Sequence, residues 1–179
     1  MEYYVVKIQK DFFCIEILNL SQSISAVYFI GISGLIIFLL PIVIIFILSM
    51  KVSFGTFIIF LLSWIIAGYF FRLYLWNKYG REVVLIKQNN LERYYDYKLF
   101  KDNRESYDFS KIEILYFIEN TGFVINDEGL SHYSKLINEL SVIGFDLDGK
   151  IITSFKEIPI SDIVDISQKW RSWVMGNVP

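Results

Sequence analysis

The chain has 179 residues, of which 54% are hydrophobic, 18% aromatic and 20% charged, against about 45–50% apolar and about 25% charged in an ordinary soluble domain. That excess excludes a disordered or collagen-like polymer, and a net charge of −2 supplies no basic excess for nucleic acid. One Cys (Cys14) and one His (His132) exclude an internal disulfide, a cysteine zinc cluster and any two-histidine metal motif.

In chain order, Tyr3–Lys7 and Phe12–Leu18 read as two strands around Gln9-Lys10-Asp11, so residues 1–20 are expected to form a strand pair that joins a later sheet. No charge then occurs from Ile17 to Met50, a run of 34 positions, nor over the 20 positions from Val52 to Phe71. A bilayer core of ~30 Å needs about 20 apolar residues of helix, and in lipid each backbone polar group must be paired within its segment. Two transmembrane helices are therefore expected, over 24–50 and 52–75. The joint around Lys51 leaves room only for a tight turn, which makes them an antiparallel hairpin. Gly31, Ser33 and Gly34 on one helix and Ser63, Ala67 and Gly68 on the other supply small residues for close packing, and Pro41 is expected to kink the first helix.

Lys and Arg set the orientation. The turn carries Lys51 alone, whereas Lys7 and Lys10 precede the hairpin and Arg72, Lys78, Arg81 and Lys87 follow it, so both termini are expected in the cytoplasm. Tyr69, Phe70, Phe71, Tyr74, Trp76 and Tyr79 gather at the exit as an interfacial belt would. Acidic residues before the apolar run and the lack of a small-x-small site argue against a cleaved leader, and the sequon Asn19-Leu20-Ser21 falls on the cytoplasmic side. Neither span holds an ionisable residue, which disfavours a transporter or channel.

Residues 77–179 read as a cytoplasmic β-domain. Glu82–Lys87 is a strand, Gln88-Asn89-Asn90 a turn, and Leu91–Leu99 a strand with Leu91, Arg93, Tyr95, Tyr97 and Leu99 on one face. Lys101–Arg104 reads as a polar turn, Ser106–Phe109 as the start of the next strand, and Ile112–Ile118 as another. Thr121-Gly122 reads as a turn, 126–129 as a loop, and Leu130–Leu140 has helical spacing without excluding other structure. Val142–Leu147 and Ile151–Phe155 flank Asp148-Gly149, a strong hairpin signal. Ser161 is placed to cap a last helix, 161–174, with Ile163, Ile166, Trp170 and Val174 as its apolar stripe.

An N-terminal strand pair, two transmembrane helices, the junction Leu75–Ile86, the segments Phe109–Ile112 and Phe145–Lys150, and a closing amphipathic helix together resemble bacterial membrane-anchored proteins with a pleckstrin-homology (PH)-like domain. The fold class expected is thus an α+β membrane protein: a two-helix transmembrane hairpin inserted near the N-terminus of a PH-like antiparallel β-domain with a C-terminal amphipathic helix. The resemblance implies a scaffold or binding module in a bacterial inner or cell membrane and names no ligand.

Catalytic chemistry finds little footing. Asp146-x-Asp148-Gly149 with Glu157 follows calcium-loop spacing, yet Lys150 and Ile151 stand where a ligand and the required glycine belong. Cys14 lies in an apolar strand without a basic neighbour in sequence. No cofactor or metal is expected. Arg72, Lys78, Arg81, Lys87 and Arg93 are the candidate lipid-headgroup contacts, against the plain alternative of a positive-inside flank. The expected function is a non-enzymatic integral membrane protein whose domain binds a protein or headgroup, with the bilayer and a protein as partners. The alternative is a small subunit of a transport, secretion or immunity assembly that uses the hairpin as its contact surface.

Overall fold

The computed structural model describes residues 3–19, 23–48, 53–118, 121–125 and 139–176. The chain divides into two compact units, Leu20–Gly80 and the combination of Met1–Asn19 with Arg81–Pro179. It is an α+β protein with two long apolar helices and antiparallel sheets.

The first unit is a helical pair, α1 (Ile24–Leu48) and α2 (Phe54–Tyr79). At 1.5 Å per residue each is about 40 Å long, long and apolar enough to cross a membrane. Both starts are capped by serine: Ser23 Oγ accepts the Ala26 N–H at 3.3 Å, and Ser53 Oγ accepts that of Thr56 at 3.3 Å. The helices run antiparallel, and small residues set their approach. A Cβ on Gly31 would lie 2.9 Å from the Tyr74 ring, and one on Gly34 3.0 Å from Phe70 Cβ. Ala67 is buried, and the Ser63 hydroxyl donates to the Ile37 carbonyl at 2.9 Å. Gly68 is different: nothing lies within 4 Å of a Cβ placed there. Pro41 is buried, and α1 continues through it.

The second helix extends four residues past the expected end at 75, because Asn77 Nδ2 bonds the Leu73 carbonyl and Gly80 N–H bonds that of Trp76. Gly80 then turns the backbone extended, and a Cβ there would fall 2.2 Å from the Trp76 carbonyl oxygen. Only glycine ends the helix this way.

The second unit holds two antiparallel sheets. One is a meander of β1 (Tyr4–Gln9), β2 (Phe12–Leu18), β3 (Arg81–Lys87), β4 (Asn90–Asp96) and β5 (Lys101–Asp108). The other contains β6 (Ile112–Ile118), β7 (Thr121–Val124), β8 (Leu140–Leu147) and β9 (Lys150–Pro159) in the order β7-β6-β8-β9. Strands β2 and β3 pair with Phe13 facing Ile86 and Ile15 facing Val84, which puts four large apolar side chains on one face. They meet Ile114, Ile143 and Phe145 of the other sheet in a single core, each fully buried aliphatic or aromatic side chain contributing about 1.5–3 kcal/mol. Helix α3 (Ile160–Val174) adds Ile163, Ile166 and Trp170 to that core. Trp170 meets Phe13 edge-on at 5.4 Å, and Trp173 Nε1 donates to the Gln9 carbonyl at 2.8 Å.

Several local expectations are corrected. Strand β1 runs on to Gln9, leaving Lys10 and Asp11 as the turn. Strand β4 stops at Asp96, not Leu99: Asp96 Oδ1 accepts the Lys98 N–H at 2.7 Å, Lys98 takes a φ of 73°, and Tyr97 stacks on Phe100. This turn replaces the one expected at 101–104, which is the start of β5. The polarity that suggested a turn belongs to a sheet edge, where charged side chains discourage further pairing. Thr121 and Gly122 lie within β7, paired with Ile118 and Phe117. Ser161 does not cap α3. The helix begins at Ile160, whose N–H bonds the Glu139 carbonyl, and the Ser161 hydroxyl turns to Asp162. Val174 is exposed rather than part of the buried stripe. The expected loop at 126–129 and most of Leu130–Leu140, His132 included, lie outside the described residues; Leu140 itself opens β8. Asp148 and Gly149 take φ of 53° and 91°, the two positive values that a type I′ turn requires.

Candidate functional site

The five candidate cations fall into two settings. Arg72 and Lys78 lie on α2 and are exposed; Arg81, Lys87 and Arg93 lie on the first sheet.

On the sheet, each cation is matched by carboxylates. Arg81 reaches Glu16 at 2.6 Å and Asp96 at 2.9 Å, and Lys7 pairs with the same Glu16. The register explains this: Leu18 and Asp96 both face Arg81, and Val5 and Val83 both face Glu16. Lys87 holds Glu92 Oε1 at 2.6 Å while Arg104 holds Oε2 at 2.7 Å. These two cations keep the Glu92 carboxyl below its ordinary range.

Arg93 makes the most demanding contact. Its Nε lies 2.9 Å from Glu82 Oε1, and its Nη1 donates to the Thr153 carbonyl at 2.9 Å. Glu82, 2% exposed, accepts the Phe155 N–H on its other oxygen at 2.8 Å. Both bonds reach β9, so one ion pair ties the two sheets together. Burial pushes the Glu82 carboxyl above its ordinary range, against the opposing pull of Arg93 and the Phe155 N–H. Sequence reasoning named Arg93 and overlooked Glu82. The visible signal was an arginine on the apolar face of β4.

On α2, Lys78 sits among rings. Its Nζ is 5.5 Å from the Tyr28 ring, 5.3 Å from that of Tyr74 and 5.2 Å from that of Tyr79, and it donates to the Tyr74 hydroxyl at 2.8 Å. Beside it a groove of 610 Å³ runs along the helical pair, lined by Tyr28, Leu35, Phe38, Trp64, Gly68 and Tyr74 among others. That volume is within the range of small-molecule sites.

Elsewhere among the described residues, Asp146, Asp148 and Cys14 serve the fold. Asp148 accepts the N–H groups of Ser110 and Lys111 at 2.7 and 2.9 Å, and Asp146 that of Gly149 at 2.7 Å, so the calcium-like spacing builds a turn. Cys14 is buried, and burial together with the nearby Glu16 raises its thiol above the ordinary value. Among the described residues no group of three or more His, Cys, Asp or Glu is placed to hold a metal ion. No protein-family model matches the chain, and no curated protein matches it either.

Proposed function

We propose that this chain is a non-enzymatic integral membrane protein. In this reading α1 and α2 cross the bilayer as a hairpin, both termini lie in the cytoplasm, and the two sheets with α3 form a PH-like module that binds another protein or a lipid headgroup. One observation carries the reading: the long helices leave most of their large apolar side chains exposed. Phe29, Phe46 and Phe54 are 72%, 81% and 81% exposed, and only 11% of each apolar window is buried. In water that surface would cost about 25 cal/mol per Å², whereas hydrocarbon accepts it freely. A core helix of a soluble protein would be mostly buried. The paired antiparallel sheets and C-terminal helix support the PH-like part. The engagement of Glu82, Arg93, Asp146 and Asp148 in sheet and turn contacts supports a binding role over a catalytic one.

Alkaline extraction and vesicle flotation test the membrane part; a chain left in the supernatant overturns it. Orientation is read in a Cys14→Ser background. Lys51→Cys is expected to react with an impermeant maleimide on intact cells, and Lys98→Cys only after permeabilisation. The reverse pattern overturns the topology. Replacing the hairpin by an unrelated one distinguishes the module from the assembly-subunit alternative: retained partner capture supports the module, and lost capture supports the subunit.

A further inference from the structure

The geometry points to a binding site on the helical pair for one anionic phospholipid, with an acyl chain in the groove between α1 and α2 and the headgroup phosphate at Lys78. This rests on the membrane reading and adds a ligand class to it.

Charge comes first. Residues 20–80 contain Lys51, Arg72 and Lys78 and not one Asp or Glu, so the unit has no carboxylate of its own to satisfy a cation. Lys78 is held by neutral groups, three tyrosine rings and the Tyr74 hydroxyl. Having accepted from Nζ, that hydroxyl keeps its own proton to donate. An ammonium and a phenol O–H side by side match a phosphate oxygen pair.

The groove continues from this point. Tyr28 and Tyr74 belong to both the ring cluster and the groove wall, and Phe38 and Trp64 line its other end. From Tyr74 to Trp64 is ten residues of helix, about 15 Å, which is half of a ~30 Å hydrocarbon core. The recess therefore spans one leaflet, the length of one lipid tail, with its cation at the headgroup level. Gly68 forms an open stretch of its floor, since a Cβ there would touch nothing within 4 Å.

A second copy is the rival occupant, and charge disfavours it. A two-fold parallel contact along this groove would bring two Lys78 ammoniums to the same end with no acidic residue between them. Of the groove glycines, Gly31 and Gly34 are already engaged within the hairpin, by Tyr74 and by Phe70, so Gly68 alone stands open and no stripe of small residues is left for a second helix.

The test uses the full chain reconstituted in vesicles of equimolar phosphatidylglycerol and phosphatidylcholine, re-extracted in mild detergent, with co-purifying lipid measured by mass spectrometry. Phosphatidylglycerol should be enriched roughly fivefold, the factor expected from one cation at an anionic surface. Lys78→Gln should abolish the preference and Lys78→Arg should keep it. Gly68→Leu should expel lipid of both kinds while leaving the helical circular-dichroism melt unchanged. No enrichment in the parent chain, or enrichment indifferent to both Lys78→Gln and Gly68→Leu, overturns the site. So does a Gly68→Cys variant that crosslinks to itself as a dimer in those vesicles. A chain that fails to float with vesicles instead overturns the membrane reading beneath it.

Discussion

The two units use the same residue types in opposite ways. In the sheet unit, Phe13, Ile15, Ile143 and Phe145 point inward and are almost fully buried, while charges pair on and between the strands. In the helical unit, Phe29, Phe46 and Phe54 point outward, and only a few large side chains, Val27, Phe60 and Leu75, are buried beside Gly34 and Ala67. Extensive apolar burial organises the first; close backbone approach at Gly31 and Gly34, a few buried apolar side chains and one hydroxyl-to-carbonyl bond organise the second. The difference teaches that hydrophobic content alone says little about a core. What matters is which side of the helix or strand the large residues occupy, and hence which solvent the surface is built for.

The largest effect that would sharpen this contrast lies in the sheet unit. Glu82→Ala leaves Arg93 half-buried without its partner and is expected to cost about 3–5 kcal/mol in denaturant unfolding. The double variant Glu82→Met/Arg93→Leu should recover most of that loss. If Glu82→Ala alone is neutral, the pair does not join the sheets. Second, in the helical unit, Gly31→Leu drives a side chain into Tyr74 and should cost about 1–3 kcal/mol, read as loss of helix-pair protection in hydrogen exchange. An equal loss for Gly68→Leu, which enters open space, would break the distinction between packed and open glycines. Third, Gly80→Ala should fray the last turn of α2 by forcing a Cβ onto the Trp76 carbonyl, seen as faster exchange at Lys78–Gly80.

The smallest effect is in pH dependence, where two glutamates run in opposite directions. The Glu92 carboxyl lies below its unfolded value near 4.5, so its contribution is present above that pH and is lost as pH falls through the folded value. The Glu82 carboxyl lies above 4.5, so its contribution is greatest below that pH and is lost as pH rises through the folded value. Stability of the parent chain relative to Glu92→Gln should therefore shrink on acidification, by no more than about 1 kcal/mol for so exposed a pair of cations. Relative to Glu82→Gln it should grow. Parallel trends in the two titrations would contradict the burial assigned to Glu82.

Legibility in the sequence followed how local the deciding physics was. The long helices were readable because unbroken apolar length is a one-dimensional property. Strand β6 was readable with its bounds because Ile112, Ile114, Tyr116 and Ile118 share one face, and β2 because a short apolar run follows a polar turn. Strand β5 was misread because an edge strand, polar on both faces, has no alternation to detect. The end of β4 was misread because an aspartate turn at Asp96 overrides the continuing alternation through Leu99. The Arg93–Glu82–β9 contact was out of reach, since it depends on a register and on a second sheet. Lys78 was named from its position after the second apolar run. Its neighbour Tyr74 sits four residues earlier on the same helix, but Tyr28 reaches it only through antiparallel helix pairing.

The placement of the hairpin between β2 and β3 also bears on how the chain is made. Leu18 faces Arg81 in that ladder, so everything from Asn19 to Gly80 must be spanned before the strands can meet. A flexible loop of that length costs at least about 3 kcal/mol to close. Two helices that pair antiparallel bring Tyr28 back beside Lys78 and so remove most of that search. The ladder between β2 and β3 is thereby closed by local helix pairing and not by a search over a long flexible loop.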